Sequence, residues 1–174
     1  MTGKFINVKK WILVAILLVF YMSAKSQTNY NLYTYFVYTI AKYVEWPDDY
    51  KTGDFVIGVL GDSKVEEALK VMAMKAKVAG RPIKIAHYTS LSDISKCNML
   101  FLPIEQSDQL PGVLKKLRGK ATLVMTEEEG MALKGSCVNF VQRNGKPAFE
   151  LNKVAMDKAN LKASSELTRF AIVL

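Results

Sequence analysis

The chain alternates between short continuous apolar runs and longer segments in which apolar residues recur at helical spacing. The short runs are rich in valine, isoleucine and aromatic residues and are bounded by turn residues, as buried strands are. Four strands are predicted in this way, at 54–60, 82–87, 97–103 and 121–126. Two further strands, at 137–142 and 148–151, flank Asn144-Gly145, which is a strong signal for a β-hairpin.

Helices are predicted between and around these strands, at 30–44, 63–77, 106–117, 127–134, 152–160 and 164–173. Ser63 and Glu66 form a capping box for the second helix, and Gly80 stands where its C-cap belongs. Pro111 either occupies the first turn of the third helix or separates that turn from the rest. Strands that alternate with helices and end in a hairpin predict a single compact α/β domain. We expect a Rossmann-like sandwich whose sheet is mainly parallel, with an antiparallel C-terminal hairpin flanked by helices.

The N-terminal segment has the layout of a secretory signal peptide. Three lysines precede a twelve-residue apolar region at 11–22, and small residues follow it. A bilayer-spanning helix needs ~20 apolar residues, so cleavage between Ser26 and Gln27 is favoured over an uncleaved anchor. The sequence therefore predicts a signal peptide at 1–26 and an exported mature domain at 27–174.

Charge and residue types argue against several classes of function. Removal of the four lysines in the signal peptide lowers the formal charge from +8 to +4. The remaining lysines form no basic stripe with interleaved aromatic residues, so nucleic-acid binding is not expected. One histidine and the absence of a C-x-x-C motif argue against a metal site. Without a nucleophile–base pair, we predict neither an enzyme nor a cofactor.

The acidic run Glu127-Glu128-Glu129 has two interpretations. Paired carboxylates serve acid–base chemistry, whereas acidic residues in the first turn of a helix stabilise its N-terminus. Neighbouring carboxylates within one turn rarely converge on a site. We therefore favour a helix that ends near Lys134-Gly135.

The strand, turn and helix at 55–69 raise the question of a phosphate-binding loop. Gly58 and Gly61 are spaced G-x-x-G rather than G-x-G-x-x-G, and no G-K-[ST] follows them. The carboxylate of Asp62 would also repel a phosphate. A small ligand of another kind is an alternative, in a cleft at the carboxyl ends of the strands near Gly61, Asp62 and Pro103.

The first predicted helix is apolar around most of its circumference, so we expect it to be covered on more than one side. Tyr35, Tyr38 and Lys42 fall within one narrow arc of this helix. That arc is either covered inside the monomer, between the sheet and the C-terminal helices, or exposed to a partner or a second copy. The sequence leaves both options open.

The two cysteines are expected to be free, buried thiols. Cys97 opens a central strand, and Cys137 lies in the hairpin strand beyond the next one. Two strand spacings amount to roughly 9–10 Å, whereas a disulfide requires Cα atoms within ~7 Å.

Several motifs, taken in order, resemble those of one protein family. They are KYVEWP at 42–47, FVIGVLGD at 55–62, GRPIKI at 80–85, CNMLFLP at 97–103, ATLVMTEEEGMALKGSCVNFV at 121–141, FELN at 149–152 and LKASSEL at 161–167. Over nearly all of its predicted mature length the chain resembles the YfiR/HmsC-like periplasmic proteins. The resemblance implies a compact α/β sandwich without catalytic machinery.

The resemblance also implies a mode of action. The family's namesake binds the periplasmic sensory domain of a membrane diguanylate cyclase and holds it inactive, which limits cyclic-di-GMP and biofilm formation. The implied partner is therefore a membrane-bound signalling protein, such as a diguanylate cyclase or a sensor kinase, with a homodimer as a further option. The alternative function is a periplasmic small-ligand-binding module.

A set of structural residues is implied in the same way. It comprises Trp46, Pro47, Gly80, Arg81, Cys97, Gly135, Cys137, Phe149, Glu150, Asn152 and Ser165. Trp46 is expected to pack the end of the first helix onto the core, Pro47 to stop that helix, and Asn152 to cap the helix after the hairpin. The namesake has more cysteines and uses disulfides, so its redox chemistry is not expected here.

Overall fold

Five parallel strands form the centre of the structure, a computed structural model that describes residues 30–174. The predicted signal peptide and its cleavage site lie outside these residues. The strands in this range are β1 Val44–Glu45, β2 Phe55–Leu60, β3 Lys77–Val78, β4 Arg81–Tyr88, β5 Met99–Leu102, β6 Leu123–Thr126, β7 Val138–Arg143, β8 Lys146–Leu151, β9 Lys162–Ala163 and β10 Ile172–Val173. The helices are α1 Tyr30–Tyr43, α2 Val65–Lys75, α3 Leu110–Lys116, α4 Lys153–Lys158 and α5 Ser165–Phe170. Three 3-10 turns are also present in this range, at Asp48–Tyr50, Leu91–Asp93 and Ile104–Gln109.

The main sheet has eight strands in the order β10-β8-β7-β6-β5-β2-β4-β3. Strands β4, β2, β5, β6 and β7 are parallel, whereas β3 and β8 are antiparallel to their neighbours β4 and β7. Numbered along the chain, the parallel strands stand in the order 2-1-3-4-5, as in flavodoxin-like folds. The predicted α/β domain, with a mainly parallel sheet and an antiparallel C-terminal hairpin, is confirmed.

Residues along the central strands alternate between two buried layers. Ile57 and Phe101 pack in the layer that contains α1, α2, α4 and α5. Leu60 and Leu100 pack in the opposite layer, with α3. Because helices cover both faces of the sheet, these strands appear in the sequence as continuous apolar runs.

Helix α1 packs on the sheet between α2 and α5. Its inner face buries Tyr33, Val37 and Ile40, and the Tyr33 ring stacks on that of Phe140 at a centroid distance of 4.6 Å. The strand after the helix, β1, pairs with β9 in a separate two-stranded sheet. The sheet thus covers the inner face of α1, and α2 and α5 lie beside the helix in the same layer.

The residues after α1 bear out one prediction and overturn another. Trp46 is buried, meets the Phe55 ring edge-on at 5.1 Å, and donates a hydrogen bond from Nε1 to the Asn98 carbonyl at 3.3 Å. Trp46 thus packs the end of the helix onto the core, as predicted. Pro47 does not stop the helix, because α1 ends at Tyr43, where the chain turns into the β1–β9 pairing. Pro47 instead precedes the Asp48–Tyr50 turn.

Arg81, at the start of β4, ties down the loop before β2. Its guanidinium donates hydrogen bonds to four backbone carbonyls, those of Tyr50 at 2.9 Å, Thr52 at 3.1 Å, Gly53 at 2.8 Å and Asp54 at 2.8 Å. An arginine fork suits this arrangement because its donors point in several fixed directions.

The predicted helix at 127–134 is wrong, because this segment consists of turns. Gly130 and Gly135 adopt positive φ angles of 82° and 110°. Thr126 and Ser136, at the two ends, are joined by a hydrogen bond of 2.9 Å between their hydroxyls. A helix of this length would extend about 12 Å and would hold those ends apart.

Two predicted helix caps are also wrong. Ser63 accepts a hydrogen bond from the amide of Val65 at 3.3 Å, and the Glu66 carboxylate turns to Lys70 and His87 instead of completing a capping box. Helix α2 ends at Lys75, so Gly80 is not its C-cap. Gly80, with a φ of 79°, lies in the tight turn between β3 and β4.

The C-terminal segment predicted as one helix is a helix followed by a strand. Helix α5 ends at Phe170, and β10 pairs in parallel with β8. The amide of Leu174 also donates to the Leu151 carbonyl at 2.9 Å. The hairpin strand β8 would otherwise be an open sheet edge, and β10 covers it. Pro111 lies in the first turn of α3, directly after the Ile104–Gln109 turn, which agrees with its prediction.

Candidate functional site

The outer face of α1 carries the three residues that the sequence singles out. Tyr35 is 60% exposed, Tyr38 is half-buried and Lys42 is exposed. The Lys42 ammonium lies 5.7 Å from the centre of the Tyr38 ring, within cation–π range. The Tyr38 hydroxyl donates to the Lys77 carbonyl at 3.4 Å. Of the two options that the sequence leaves open for this arc, Tyr35 and Lys42 follow the exposed one.

A groove of about 490 Å³ runs between α1 and α2, and we refer to it as the α1–α2 groove. Its lining includes Tyr35, Tyr38, Ala68, Val71, Met72 and Lys75. Val71 is 48% exposed and lines the groove beside Tyr35. The groove therefore presents apolar side chains to solvent next to two tyrosines. The sequence indicated its α1 wall but gave no sign of its α2 wall.

The charges around this groove are unevenly distributed. Glu67, on its rim, is paired with Lys70 at 3.0 Å. Within residues 30–174, no carboxylate lies within 4.0 Å of the ammonium groups of Lys42, Lys75 or Lys77. The end of the groove beside Tyr38 is therefore basic.

The predicted ligand cleft lies at the carboxyl ends of β2 and β5, where the strand order reverses. Gly61 has a φ of 75°, and the side chain of Gln106 covers it so closely that a Cβ there would lie 2.7 Å from Nε2. The amide of Gln106 donates to the Pro103 carbonyl at 2.9 Å, which closes the first turn after β5. Asp62 is exposed beside them. The structure thus places all three residues at one sheet edge, but Gln106 occupies the space above Gly61.

His87 sits between two carboxylates near that edge. Its Nδ1 lies 2.7 Å from Glu66 and its Nε2 lies 3.8 Å from Asp62. Partial burial alone would raise the pKa of Glu66, but hydrogen bonds from Lys70 and His87 outweigh it and lower that pKa. His87, the single histidine of the sequence, stands one residue before the end of β4.

Glu127 follows β6 and faces α1 rather than opening a helix. Its carboxylate accepts a hydrogen bond from the amide of Ile104 at 3.1 Å. Burial raises the pKa of Glu127, and the nearby Glu105 adds to this effect. Burial, and then the charge of Glu127, raises the pKa of Tyr33 to about 12. The hydrogen bond between Ile104 and Glu127 joins the segments that follow β5 and β6.

A buried polar network beside β6 was not foreseen from the sequence. The Thr126 hydroxyl lies 2.8 Å from Asn139 Oδ1, and Asn139 Nδ2 donates to Glu150 at 3.3 Å. Arg143 donates to Glu150 at 2.6 Å and to Glu129 at 3.0 Å. The asparagine inside the apolar run CVNFV was the available signal, since a buried amide requires partners. Glu150 thus has the structural role that the resemblance implies.

The two cysteines are free thiols on opposite layers of the core. Desolvation raises the pKa of each, that of Cys97 and that of Cys137, to about 11. Both thiols are therefore protonated at neutral pH and poor nucleophiles. The prediction that they are not bonded to each other is confirmed.

The C-terminal signature residues organise the end of the fold. Asn152 accepts a hydrogen bond from the amide of Ala155 at 2.9 Å, which confirms that it caps the helix after the hairpin, and donates to the Ala132 carbonyl at 2.7 Å. Phe149 is fully buried against Phe36 of α1. Ser165 is the first residue of α5, and the preceding serine caps that helix.

The described residues, 30–174, hold neither a candidate membrane-spanning helix nor a candidate metal cluster. No helix in this range combines the length and apolar character needed to cross a membrane. Nor does this range hold three or more His, Cys, Asp or Glu side chains grouped to bind a metal ion.

Comparisons with known proteins place these features in context. A family model described as YfiR/HmsC-like matches residues 30–172. No curated protein matches the chain. The fold is similar to the crystal structure of a conserved domain protein from Vibrio cholerae O1 biovar eltor, with a TM-score of 0.55 at 12% sequence identity. The similarity covers 84% of this chain and 60% of that one, and at this identity it concerns the fold alone.

Proposed function

Since the chain belongs to the YfiR/HmsC-like family, we propose that it is a periplasmic regulator that acts by contact on a membrane-bound signalling protein. A diguanylate cyclase or a sensor kinase is the kind of partner that this role requires. In the first case the protein would restrain cyclic-di-GMP synthesis and biofilm formation. The role is one of binding and involves no catalysis.

The observation that carries the proposal is the solvent-exposed Tyr35 beside the apolar α1–α2 groove. Tyrosine is enriched at interfaces because its ring is buried on binding while its hydroxyl still finds a partner. We propose the face formed by Tyr35, Tyr38 and Lys42 as the contact surface. The cleft near Gly61, Asp62 and Pro103 has no comparable support, because Gln106 covers Gly61.

The proposal includes export. The chain is synthesised with the signal peptide 1–26 and acts as the mature domain 27–174. N-terminal sequencing of the exported protein should therefore start at Gln27. Recovery of the protein from membranes with residues 1–22 still attached would contradict this part of the proposal.

The contact surface is tested by Tyr35→Glu combined with Tyr38→Glu. Tyr35 is exposed and tolerates a charge, whereas Tyr38 is half-buried and bonded to the Lys77 carbonyl, so we expect a fall of about 4–8 °C in melting temperature with unfolding still cooperative. Co-purification of the tagged protein with its membrane partner should be lost. Phe170→Glu is the matched control, since Phe170 is an equally exposed aromatic residue on α5.

Cellular cyclic-di-GMP is the functional readout. Deletion of the gene should raise its level if the partner is a cyclase, the wild-type gene should restore it, and the double variant should not. A double variant that retains its membrane partner contradicts the proposed surface. Sedimentation of the purified protein separates loss of a homodimer from loss of the membrane partner.

A further inference from the structure

The two walls of the α1–α2 groove have the spacing that a docked helix requires. On α2, residues Ala68, Val71 and Met72 follow the i, i+3, i+4 pattern and line the groove, with Lys75 one turn further at i+7. On α1, Tyr35 and Tyr38 stand at i and i+3. Two helices side by side leave a channel that a third helix fills through anchors of the same spacing.

The groove also has the surface chemistry of a binding site for apolar side chains. Tyr35 is 60% exposed and Val71 is 48% exposed, although both stand on helices that pack on the core. Met72, which is half-buried, also lines the groove, and its flexible thioether can adapt to the shape of an incoming residue. Covering these groups would remove apolar area from water, and that removal drives association.

The charge around Tyr38 indicates which side chains the docked helix carries beside its apolar anchors. The Lys42 ammonium lies over the Tyr38 ring, and the Lys77 carbonyl accepts a hydrogen bond from the Tyr38 hydroxyl. Lys75 lines the same groove. These three lysines have no carboxylate partner within residues 30–174. Within residues 30–174 the groove lining holds one carboxylate, that of Glu67, and it is already paired with Lys70, so a second copy bound symmetrically would bring lysines against Lys42 and Lys75, which is unfavourable.

We infer that the α1–α2 groove takes an amphipathic helix of the membrane partner, whose apolar face is flanked by acidic side chains that pair with Lys42 and Lys75. This inference rests on the proposed function and specifies its contact. The apolar floor supplies affinity, and the lysines set the orientation and the choice of partner.

The test places the photo-cross-linker benzoylphenylalanine at Tyr35 in the full-length gene, expressed in the source cells. The same residue at Phe170 serves as the positional control, because Phe170 is equally exposed on another helix. After irradiation, mass spectrometry identifies the cross-linked peptide. From position 35 we expect a segment of an integral membrane protein with apolar residues three and four apart and Asp or Glu within one turn of them.

Charge reversal separates this inference from general stickiness of the groove. Lys42→Glu with Lys75→Glu should lower the yield of the cross-link about tenfold. Lysines in place of the partner's acidic residues should restore it. Lys153→Glu with Lys158→Glu on α4 is the matched control and should leave the yield unchanged. Thermal melting checks that each variant is folded, and the neutral pair Lys42→Gln with Lys75→Gln replaces the reversal if it is not.

The remaining outcomes are distinguishable. A cross-link from position 35 to a second copy or to a lipid, or a yield indifferent to charge, overturns the inference. A membrane protein captured only from position 170 overturns the inference and the proposed contact surface, but leaves the proposed role of a regulator that acts by contact. If no membrane protein is cross-linked from position 35 or from position 170, both the inference and the proposed function are contradicted.

Discussion

Replacement of Arg81 tests how the fold positions the chain between α1 and β2. The Arg81 guanidinium holds four carbonyls between Tyr50 and Asp54, and its carbon Cζ lies 5.4 Å from the centre of the Phe55 ring. Arg81→Ala removes every one of these contacts at once. Arg81→Lys keeps the positive charge but replaces the planar fork with a single ammonium group.

The expected loss follows from how far each bond is shielded. A buried hydrogen bond to a charged group contributes about 1.5–3 kcal/mol. Only the bond to the Tyr50 carbonyl is partly buried, and water substitutes for much of the other three. We expect Arg81→Ala to lower the free energy of unfolding by about 2–3 kcal/mol. For a domain of this size that corresponds to a fall of about 4–12 °C in melting temperature.

Thermal and urea unfolding, followed by circular dichroism, measure the effect. Arg81→Lys should lose about half as much stability as Arg81→Ala, because an ammonium cannot reach all four carbonyls. Arg118→Ala, at an exposed arginine, is the control and should change stability by no more than about 0.5 kcal/mol. If Arg81→Ala has the same melting temperature as Arg118→Ala, or if Arg81→Lys is as stable as the wild type, the loop before β2 does not depend on the guanidinium fork.

Three further predictions concern the core. Gly58→Ala should lower the free energy of unfolding in urea by about 1–3 kcal/mol, because its Cβ would lie 2.4 Å from the Tyr88 ring. The loss should be smaller in a Tyr88→Leu background, and equal losses in both backgrounds would rule out the clash. The raised pKa of Glu127 means that the folded state favours the protonated carboxyl, so this group's contribution to stability is lost as pH rises above its unfolded value of about 4.3. In thermal unfolding, Glu127→Gln should therefore be more stable than the wild type at pH ~7 and lose that difference in acid. A difference in stability that grows in acid would show that folding lowers the pKa of Glu127. Finally, Cys97 and Cys137 should resist thiol alkylation in the native protein and both react after unfolding without reductant; a sulfur-linked peptide pair would disprove this.

The strands are predictable because each central one is buried on both faces. The predicted ranges 54–60, 97–103 and 121–126 contain β2, β5 and β6 entirely. The apolar run needed to fill two layers is itself the signal, and it depends on no distant residue. The Asn144-Gly145 hairpin is predictable for the same reason, since both residues adopt the positive φ angles that the tight turn requires.

The errors arise where distant residues decide local structure. Glu66 fits a capping box by sequence, but His87 and Lys70 bind its carboxylate in the folded chain. The segment after Thr126 has a composition that favours a helix. In the fold, however, the buried hydroxyl of Ser136 is hydrogen-bonded to that of Thr126 at the end of β6, so the segment forms turns. The groove beside Tyr35 escapes prediction because its second wall belongs to α2, and no local pattern states which helices become neighbours.

The pairing of β1 with β9 constrains the order in which the protein can fold. Val44 pairs with Ala163, near the opposite end of the described residues, and α1 also packs on α5. Such contacts form late, because a long loop must be closed before they contribute. A chain that is still being synthesised, or one truncated before residue 162, therefore lacks the support that fixes α1 beside α2. The proposed contact surface is therefore complete only in the full fold, and we expect truncated chains not to compete with full-length ones for a partner.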